Sequence, residues 1–145
     1  MRIELPAHKR WVYSSTMPVR WGDMDAMGHV NNTVYFRYME QLRIEWFYQV
    51  GFSPAVGGVG PVVVNGFCNY LRELAYPDEI RLQLYVSDPA RTTFETWVTM
   101  ERVDAPGVLC ATGGATIIWV DSQRKKAVDL PASVRGLISG NPVVA

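Results

Sequence analysis

The sequence has little of what most metal and disulfide sites need: two cysteines and two histidines in 145 residues. Cys68 and Cys110 stand in neither a Cys-x-x-Cys nor a Cys/His spacing, and both fall in strand-like segments. We therefore expect two reduced, buried thiols. With His8 and His29 as the only imidazoles, a histidine-rich metal centre is hard to build.

Long apolar runs and an excess of one charge are also missing. The N-terminus lacks the apolar core of a secretory signal, and Asn65 interrupts the valines of 62–64, so no run approaches the ~20 residues of a membrane span. Fourteen basic side chains balance fourteen acidic ones. Binding to nucleic acid or anionic membranes rests on excess positive charge, which this chain lacks. The sequence predicts a cytoplasmic protein with no nucleic-acid partner and no membrane span.

Core-forming residues are plentiful, since 48% of the chain is hydrophobic and five Trp, seven Tyr and five Phe are present. This composition and length predict one domain over 1–145. We expect its core at about 9–121, followed by a tail with a short helix at about 131–139. No repeat or linker divides the chain.

The clearest element is a helix over 33–50, a stretch without Gly or Pro. Apolar or aromatic residues recur there at steps of three and four, at positions 35, 38, 39, 42, 46 and 50. Asn31 and Asn32 are typical of a helix start, and Gly51 of a helix end. The many aromatic residues predict that this helix is deeply buried.

Strand-like segments surround the helix. The sequence predicts one strand within 11–21 and further strands at 62–74, 79–86, 92–103 and 109–120, with a Gly/Pro-rich loop at 51–61 and Lys125-Lys126 closing the sheet region. Short links predict that consecutive strands are antiparallel neighbours. The order is typical of an α+β fold in which the sheet wraps around the aromatic helix.

The loop before the helix holds the most reactive set of side chains. Asp23 and Asp25 lie within 22–28, and His29 follows. The helix start offers free N–H groups that suit an anion or a developing oxyanion. A carboxylate opposite such donors can open an acyl group. Asp-rich loops are also common as plain helix caps, so the residues alone leave both roles open.

Residues 20–35, Arg-Trp-Gly-Asp-Met-Asp-Ala-Met-Gly-His-Val-Asn-Asn-Thr-Val-Tyr, resemble the 4-hydroxybenzoyl-CoA thioesterase branch of the hotdog superfamily. The branch has an aromatic strand end, then Asp-x-Asp-x-x-Gly-x-Val, then Asn and Tyr at the helix start. The resemblance implies a single hotdog domain, a five-stranded antiparallel sheet around one long helix. It also implies hydrolysis of acyl-CoA thioesters to free acid and CoA without a metal or redox cofactor, because coenzyme A is part of the substrate.

The resemblance also assigns roles at the start of the helix. The catalytic carboxylate of the branch, a nucleophile or general base, corresponds to Asp25, and its oxyanion-binding backbone N–H to Asn32. Residues 29–32 are similar to the His-Val-Asn-Asn of plant acyl-carrier-protein thioesterases, but the catalytic Asn of those enzymes is replaced here by Met27. That departure leaves His29 as a candidate helper. Another branch uses a helix Glu, and Glu40 and Glu45 are less necessary with Asp25 in place.

Other residues are candidates for binding substrate. Gly28 suits a close backbone approach or a positive φ, and Tyr35 is either a core aromatic or a wall of the acyl pocket. Arg91, Thr92 and Thr93 resemble a basic-Ser/Thr-Phe step, where the Arg and backbone groups would meet pantetheine or a phosphate. The residues Arg72, Arg102, Lys125 and Lys126 are either diphosphate partners or solvated charges. Asp23 is expected to hydrogen-bond loop N–H groups.

Two other functions stay open, and an oligomer is expected. An enoyl-thioester hydratase or dehydratase on the same fold would use Asp25 and His29 as acid and base, but its Asp-x-Asn-Pro-x-His pattern is not matched. A non-catalytic acyl-CoA binding module is the other alternative, because fold does not fix function. A curved sheet around one helix leaves open strand edges. Together with the resemblance, this predicts a homodimer or homotetramer with active sites at the subunit interface.

Overall fold

The computed structural model describes residues 1–52 and 58–140, which form one antiparallel sheet and two α-helices. The elements are β1 (Arg10–Pro18), α1 (Asn32–Gln49), β2 (Val59–Tyr70), β3 (Glu79–Ser87), β4 (Thr93–Arg102), β5 (Leu109–Asp121), β6 (Lys126–Ala127) and α2 (Ala132–Ser139). A single 3₁₀ turn, Trp21–Asp23, lies between β1 and α1. The predicted loop at 51–61 falls partly outside the described residues.

The sheet has the strand order β1-β3-β4-β5-β2, and each neighbouring pair is antiparallel. The two-residue strand β6 pairs with the end of β5, so the sheet region ends next to Lys125-Lys126, as predicted. Five long strands and one long helix confirm the predicted α+β arrangement. β1 and β2 lie at the two edges.

The core lies between the sheet and one face of α1. Side chains of β3 and β4 alternate between buried and partly exposed, because successive strand residues point to opposite faces. From α1 the buried residues are Tyr35, Tyr38, Met39, Leu42, Trp46 and Phe47. Phe36 and Tyr48 remain exposed, so the predicted deep burial of the aromatic helix holds for one face only.

The helix ends follow from local sequence. The Asn31 side chain accepts a hydrogen bond from the Thr33 N–H at 2.9 Å and caps the start of α1. After α1, Gly51 has a φ of 92°, a value that favours glycine. The cysteines are free thiols, Cys110 buried and Cys68 half-buried. Within 1–52 and 58–140, no helix is both long and apolar enough for a membrane span.

The predicted course of β2 was wrong in two respects. β2 ends at Tyr70 rather than at residue 74, because the N–H groups of Leu71 and Arg72 both donate to the Cys110 carbonyl and the chain then leaves the sheet. β2 also pairs with β5 and not with the following strand β3. The eight residues of 71–78 reach about 26–29 Å when extended. They easily cross the roughly 14 Å of three strand spacings.

This link, residues 71–78, passes beside the start of α1. The Val30 N–H donates to the Leu74 carbonyl at 2.7 Å, and the Leu74 side chain is 1% exposed. At the far end of the link, the Val19 N–H donates to the Asp78 carbonyl at 2.9 Å. The link therefore borders the loop that carries the two aspartates.

Candidate active site

A tight loop fixes Asp25 in front of α1. Met24 and Val30 form an antiparallel bridge, and between them the Asp25 N–H donates to the His29 carbonyl at 2.9 Å. The Gly28 N–H donates to the Asp25 carbonyl at 3.0 Å. Gly28 has a φ of 80°, which confirms the prediction of a positive φ at this residue. The loop thus returns to the helix within a few residues of Asp25.

The Asp25 carboxylate keeps one oxygen available. Its Oδ1 accepts a hydrogen bond from the Met27 N–H at 2.9 Å. Its Oδ2 has no donor among the residues that the structure describes, and the side chain is exposed. A carboxylate held by one hydrogen bond with a second oxygen free can attack a carbonyl carbon or accept a proton from water.

Asp23 has the structural contacts predicted for it. Its Oδ2 accepts hydrogen bonds from the Arg20 N–H at 2.9 Å and from the Tyr38 hydroxyl at 2.6 Å. Burial, followed by the bond to Asp23, raises the pKa of Tyr38. The Asp23 carbonyl also accepts from the Asn31 N–H at 2.9 Å. Asp23 therefore fastens the loop to Arg20, two residues after β1, and to the start of α1.

The first residue of α1 presents an unpaired donor. Asn32 follows the N-cap, and its N–H has no acceptor within the described part of the chain. The Tyr70 hydroxyl donates to the Asn32 carbonyl at 2.7 Å. The Tyr70 ring meets the Tyr35 ring edge-on, with centroids 4.9 Å apart. Burial raises the pKa of each tyrosine to about 12.

These groups line one cleft of ≈ 310 Å³, which we call the Asp25 cleft. Its walls are Asp25, His29, Val30, Asn32, Tyr35, Tyr70, Leu71, Arg72 and Glu73. The structure therefore brings together the predicted site residues Asp25, His29, Asn32 and Tyr35, and with them Arg72, one of the candidate diphosphate partners. Sequence analysis missed Tyr70, Leu71 and Glu73, because the predicted strand 62–74 concealed the link that carries them past the helix start.

His29 has a carboxylate partner, but the partner is not Asp25. The His29 Nε2 lies 3.0 Å from the Glu73 Oε2, and both side chains are substantially exposed, at 42% and 75%. In the described ranges, no group of three or more His, Cys, Asp or Glu side chains is arranged to hold a metal ion. The pair with Glu73 orients the imidazole at the mouth of the Asp25 cleft.

The predicted residues 91–93 lie far from the Asp25 cleft within one chain. Thr93 begins β4, whereas Arg102 ends it near Cys110 and Arg72. Nine strand steps separate the two ends, roughly 30 Å. Arg91 pairs with Asp129 at 2.6 Å, and the Thr92 carbonyl accepts from Trp119. One chain alone does not bring these residues to Asp25.

Comparison with known proteins identifies the family. A family model of the thioesterase-like superfamily matches residues 19–138, which include the Asp25 loop, α1, the four long strands β2 to β5 and all of α2 but its last residue. The chain belongs to this superfamily. The predicted identity as a hotdog-fold acyl-CoA thioesterase is confirmed.

Solved structures agree with this membership. The PA2801 protein of Pseudomonas aeruginosa, named as a proposed thioesterase, is 30% identical with a TM-score of 0.85, covering 88% of this chain and 98% of its own. The XC229 protein of Xanthomonas campestris, named as a proposed acyl-CoA thioesterase, is 31% identical with a TM-score of 0.72, covering 78% and 96%. A 4-hydroxybenzoyl-CoA thioesterase shares the fold, with 19% identity, a TM-score of 0.77 and coverage of 89% and 99%.

Proposed function

We propose that this thioesterase hydrolyses acyl-CoA at the Asp25 cleft, with the Asp25 carboxylate as nucleophile or general base and the Asn32 N–H as oxyanion donor. One observation carries the proposal: a carboxylate with a free oxygen and an unpaired helix N–H line the same cleft. Membership of the superfamily supports thioester hydrolysis in general.

The proposed reaction uses two groups with different roles. The thioester carbonyl oxygen accepts a hydrogen bond from the Asn32 N–H, which stabilises the negative charge that develops on it. Asp25 either attacks the carbonyl carbon, releasing CoA thiolate from a mixed anhydride that water then opens, or takes a proton from the water that attacks. Both routes consume one water and yield the free acid and CoA, and neither uses a metal or redox cofactor.

Neighbouring groups hold this machinery in place. The φ of Gly28 shapes the loop, and the Tyr70 hydroxyl fixes the Asn32 carbonyl next to the donor. Tyr35 lines the Asp25 cleft but is only 3% exposed, so most of its ring belongs to the core. His29 lines the same cleft, where its imidazole lies 3.0 Å from the Glu73 carboxylate.

The proposed enzyme is a cytoplasmic homo-oligomer whose minimal unit is a dimer joined along β2. β2 is an edge strand, and its valines 62, 63 and 64 are 46%, 46% and 55% exposed. Such an edge is suited to pairing with a second copy. Antiparallel pairing reverses the second sheet, so the partner's β4 start comes to the end that holds Asp25. Arg91, Thr92 and Thr93 would then serve the CoA portion of the neighbouring subunit's substrate.

Thiol release from a panel of acyl-CoA and aryl-CoA substrates tests the function. We expect one CoA thiol for each acid formed, measured with a thiol reagent and by chromatography of the acid. Water addition to an enoyl-CoA without thiol release would instead support a hydratase. Binding without turnover of any substrate would support a binding module, and either result would overturn the proposal.

A further inference from the structure

Arg43 on α1 is a half-buried cation that the proposed reaction does not use. It forms no ion pair with any residue of 1–52 or 58–140, while the nearby Glu40 is paired with Arg37 at 2.8 Å. Burial lowers the pKa of Arg43, and the charge of Glu40 opposes that shift. Arginine is seldom buried without a partner, because removing its charge from water is costly. A bound anion beside Arg43 would compensate this buried charge.

Arg43 stands at a second cleft, of ≈ 180 Å³, between α1 and β2. We call it the Arg43 cleft. Its walls are Glu40, Arg43, Ile44, Phe47, Pro61, Val62, Val63 and Ile117. Six of these eight side chains are apolar. Val62 and Val63 belong to the edge proposed above to pair with a second copy, so this cleft would lie beside the subunit interface. An apolar cleft with one unpaired guanidinium fits a ligand that has an apolar stem and an anionic end.

The two clefts lie along the same stripe of the helix. Positions 32, 36, 40, 43 and 47 fall within an arc of about 80° at 100° per residue, so they share the face that α1 turns towards β2. Asn32 and Arg43 are eleven residues apart, which is about 16 Å along the axis. Between them Phe36, 43% exposed, lies over Gly66 of β2 and supplies apolar surface.

We propose that the Arg43 cleft receives the far end of the acyl group, and that Arg43 selects acyl groups that end in a carboxylate. The substrate class is then the ω-carboxyacyl-CoA, the monothioester of a long dicarboxylic acid. This inference rests on the proposed hydrolysis at Asp25. With the carbonyl at the Asn32 N–H, the chain passes Phe36 and its carboxylate pairs with the guanidinium fork of Arg43.

Hydrolysis of matched substrates tests the selection. The substrates are dicarboxylic monothioesters from adipoyl-CoA to hexadecanedioyl-CoA, each compared with the monocarboxylic acyl-CoA of the same length. At the longer lengths we expect kcat/KM to be higher for the ω-carboxy compound. Arg43→Met keeps the apolar stem and should lower kcat/KM for the ω-carboxy substrate about 10- to 100-fold. It should leave the monocarboxylic substrate unchanged or better. Arg81→Met, which removes a partly exposed arginine from β3, should change neither.

Two further measurements separate the inference from the proposed function. Asp25→Asn should still bind the ω-carboxyacyl-CoA more tightly than its monocarboxylic counterpart, and the added change Arg43→Met should abolish that difference. If binding is selective but no substrate is hydrolysed, the proposed function fails while the anion site stands. If hydrolysis occurs without a preference for the ω-carboxy substrate, the inference fails. It also fails if Arg43→Met and Arg43→Lys lower kcat/KM for both substrates equally and shift the sedimentation coefficient, because Arg43 is then an interface residue.

Discussion

At the scale of single residues, the proposed oxyanion site depends on the backbone N–H of Asn32. Asn31 has φ −60° and ψ 141°, an extended conformation that also suits a residue before proline. Asn32→Pro should therefore remove one donor and keep the helix, since proline is well tolerated at the first helical position. We expect kcat to fall roughly 10²–10³-fold. Asn32→Ala keeps the N–H and should be mild.

The comparison of these two Asn32 variants is the control. Circular dichroism should show that both are folded. Equal kcat in the two folded proteins would mean that the donor lies elsewhere, with the Thr33 N–H or the His29 side chain as the next candidates. The N–H of Thr33 is already bonded to the Asn31 side chain, so it is the weaker of these.

A second residue-scale prediction concerns alkaline stability. Burial raises the pKa of Tyr35 from 10.0 to about 12. The folded state therefore holds the phenol proton more tightly than the unfolded state, and the stability gained is fully present below pH 10. It should be lost as pH rises from 10 towards about 12. Urea unfolding across this range should show a shallower decline for Tyr35→Phe, and an identical decline would contradict the assignment.

At this scale, the sequence predicted site residues that lie close together in the chain and missed those that lie far apart in it. Asp25, His29 and Asn32 lie within a few residues of one another, so a local motif was enough to predict that they share a site. Their catalytic roles stay predictions. Tyr70 and Glu73 come from the far side of β2, and no local pattern marks a strand end that will fold back against a helix start some forty residues earlier in the chain.

At the scale of elements, the contact between α1 and β5 depends on Gly113, which has no side chain. A Cβ at Gly113 would lie 2.5 Å from the Met39 Sδ and 2.7 Å from the Phe67 carbonyl oxygen. Met39 can move, but the backbone carbonyl of the neighbouring strand cannot. Gly113→Ala should therefore destabilise the fold by about 1–3 kcal/mol. Gly22→Ala is the matched control, because its Cβ meets nothing within 4 Å.

Urea denaturation of both glycine variants measures this effect. We expect a clearly lower midpoint for Gly113→Ala and little change for Gly22→Ala. Equal midpoints would show that α1 does not pack as closely on β5 as the structure has it.

The elements themselves differed in how well the sequence predicted them. α1 was predicted closely, because its periodicity, its Asn31 cap and Gly51 are all local signals. The β-prone segments were also found, but the partner of β2 was not. Strand pairing is decided by burial of the whole sheet around α1, and turn residues at 76–78 look the same whether the link joins neighbours or crosses to another strand.

At the scale of the whole molecule, the account requires a second copy along β2. Val64→Lys places a charge on the exposed edge and should weaken association, as lysine does at natural sheet edges. We expect sedimentation to shift towards the monomer and hydrolysis to fall with it. Val108→Lys, at another exposed valine, should alter neither. A wild-type protein that is monomeric and active at micromolar concentration would contradict the oligomer.

The central claim is that the Asp25 carboxylate carries out the chemistry, and Asp25→Asn tests it most directly. The amide keeps the shape and the bond to the Met27 N–H but can neither attack nor accept a proton. We predict normal folding, retained acyl-CoA binding and a fall in kcat on the order of 10²–10⁴ or more. Asp23→Asn should mainly reduce stability through its bonds to Arg20 and Tyr38. An Asp25→Asn enzyme that keeps more than about a tenth of the wild-type kcat would contradict the account.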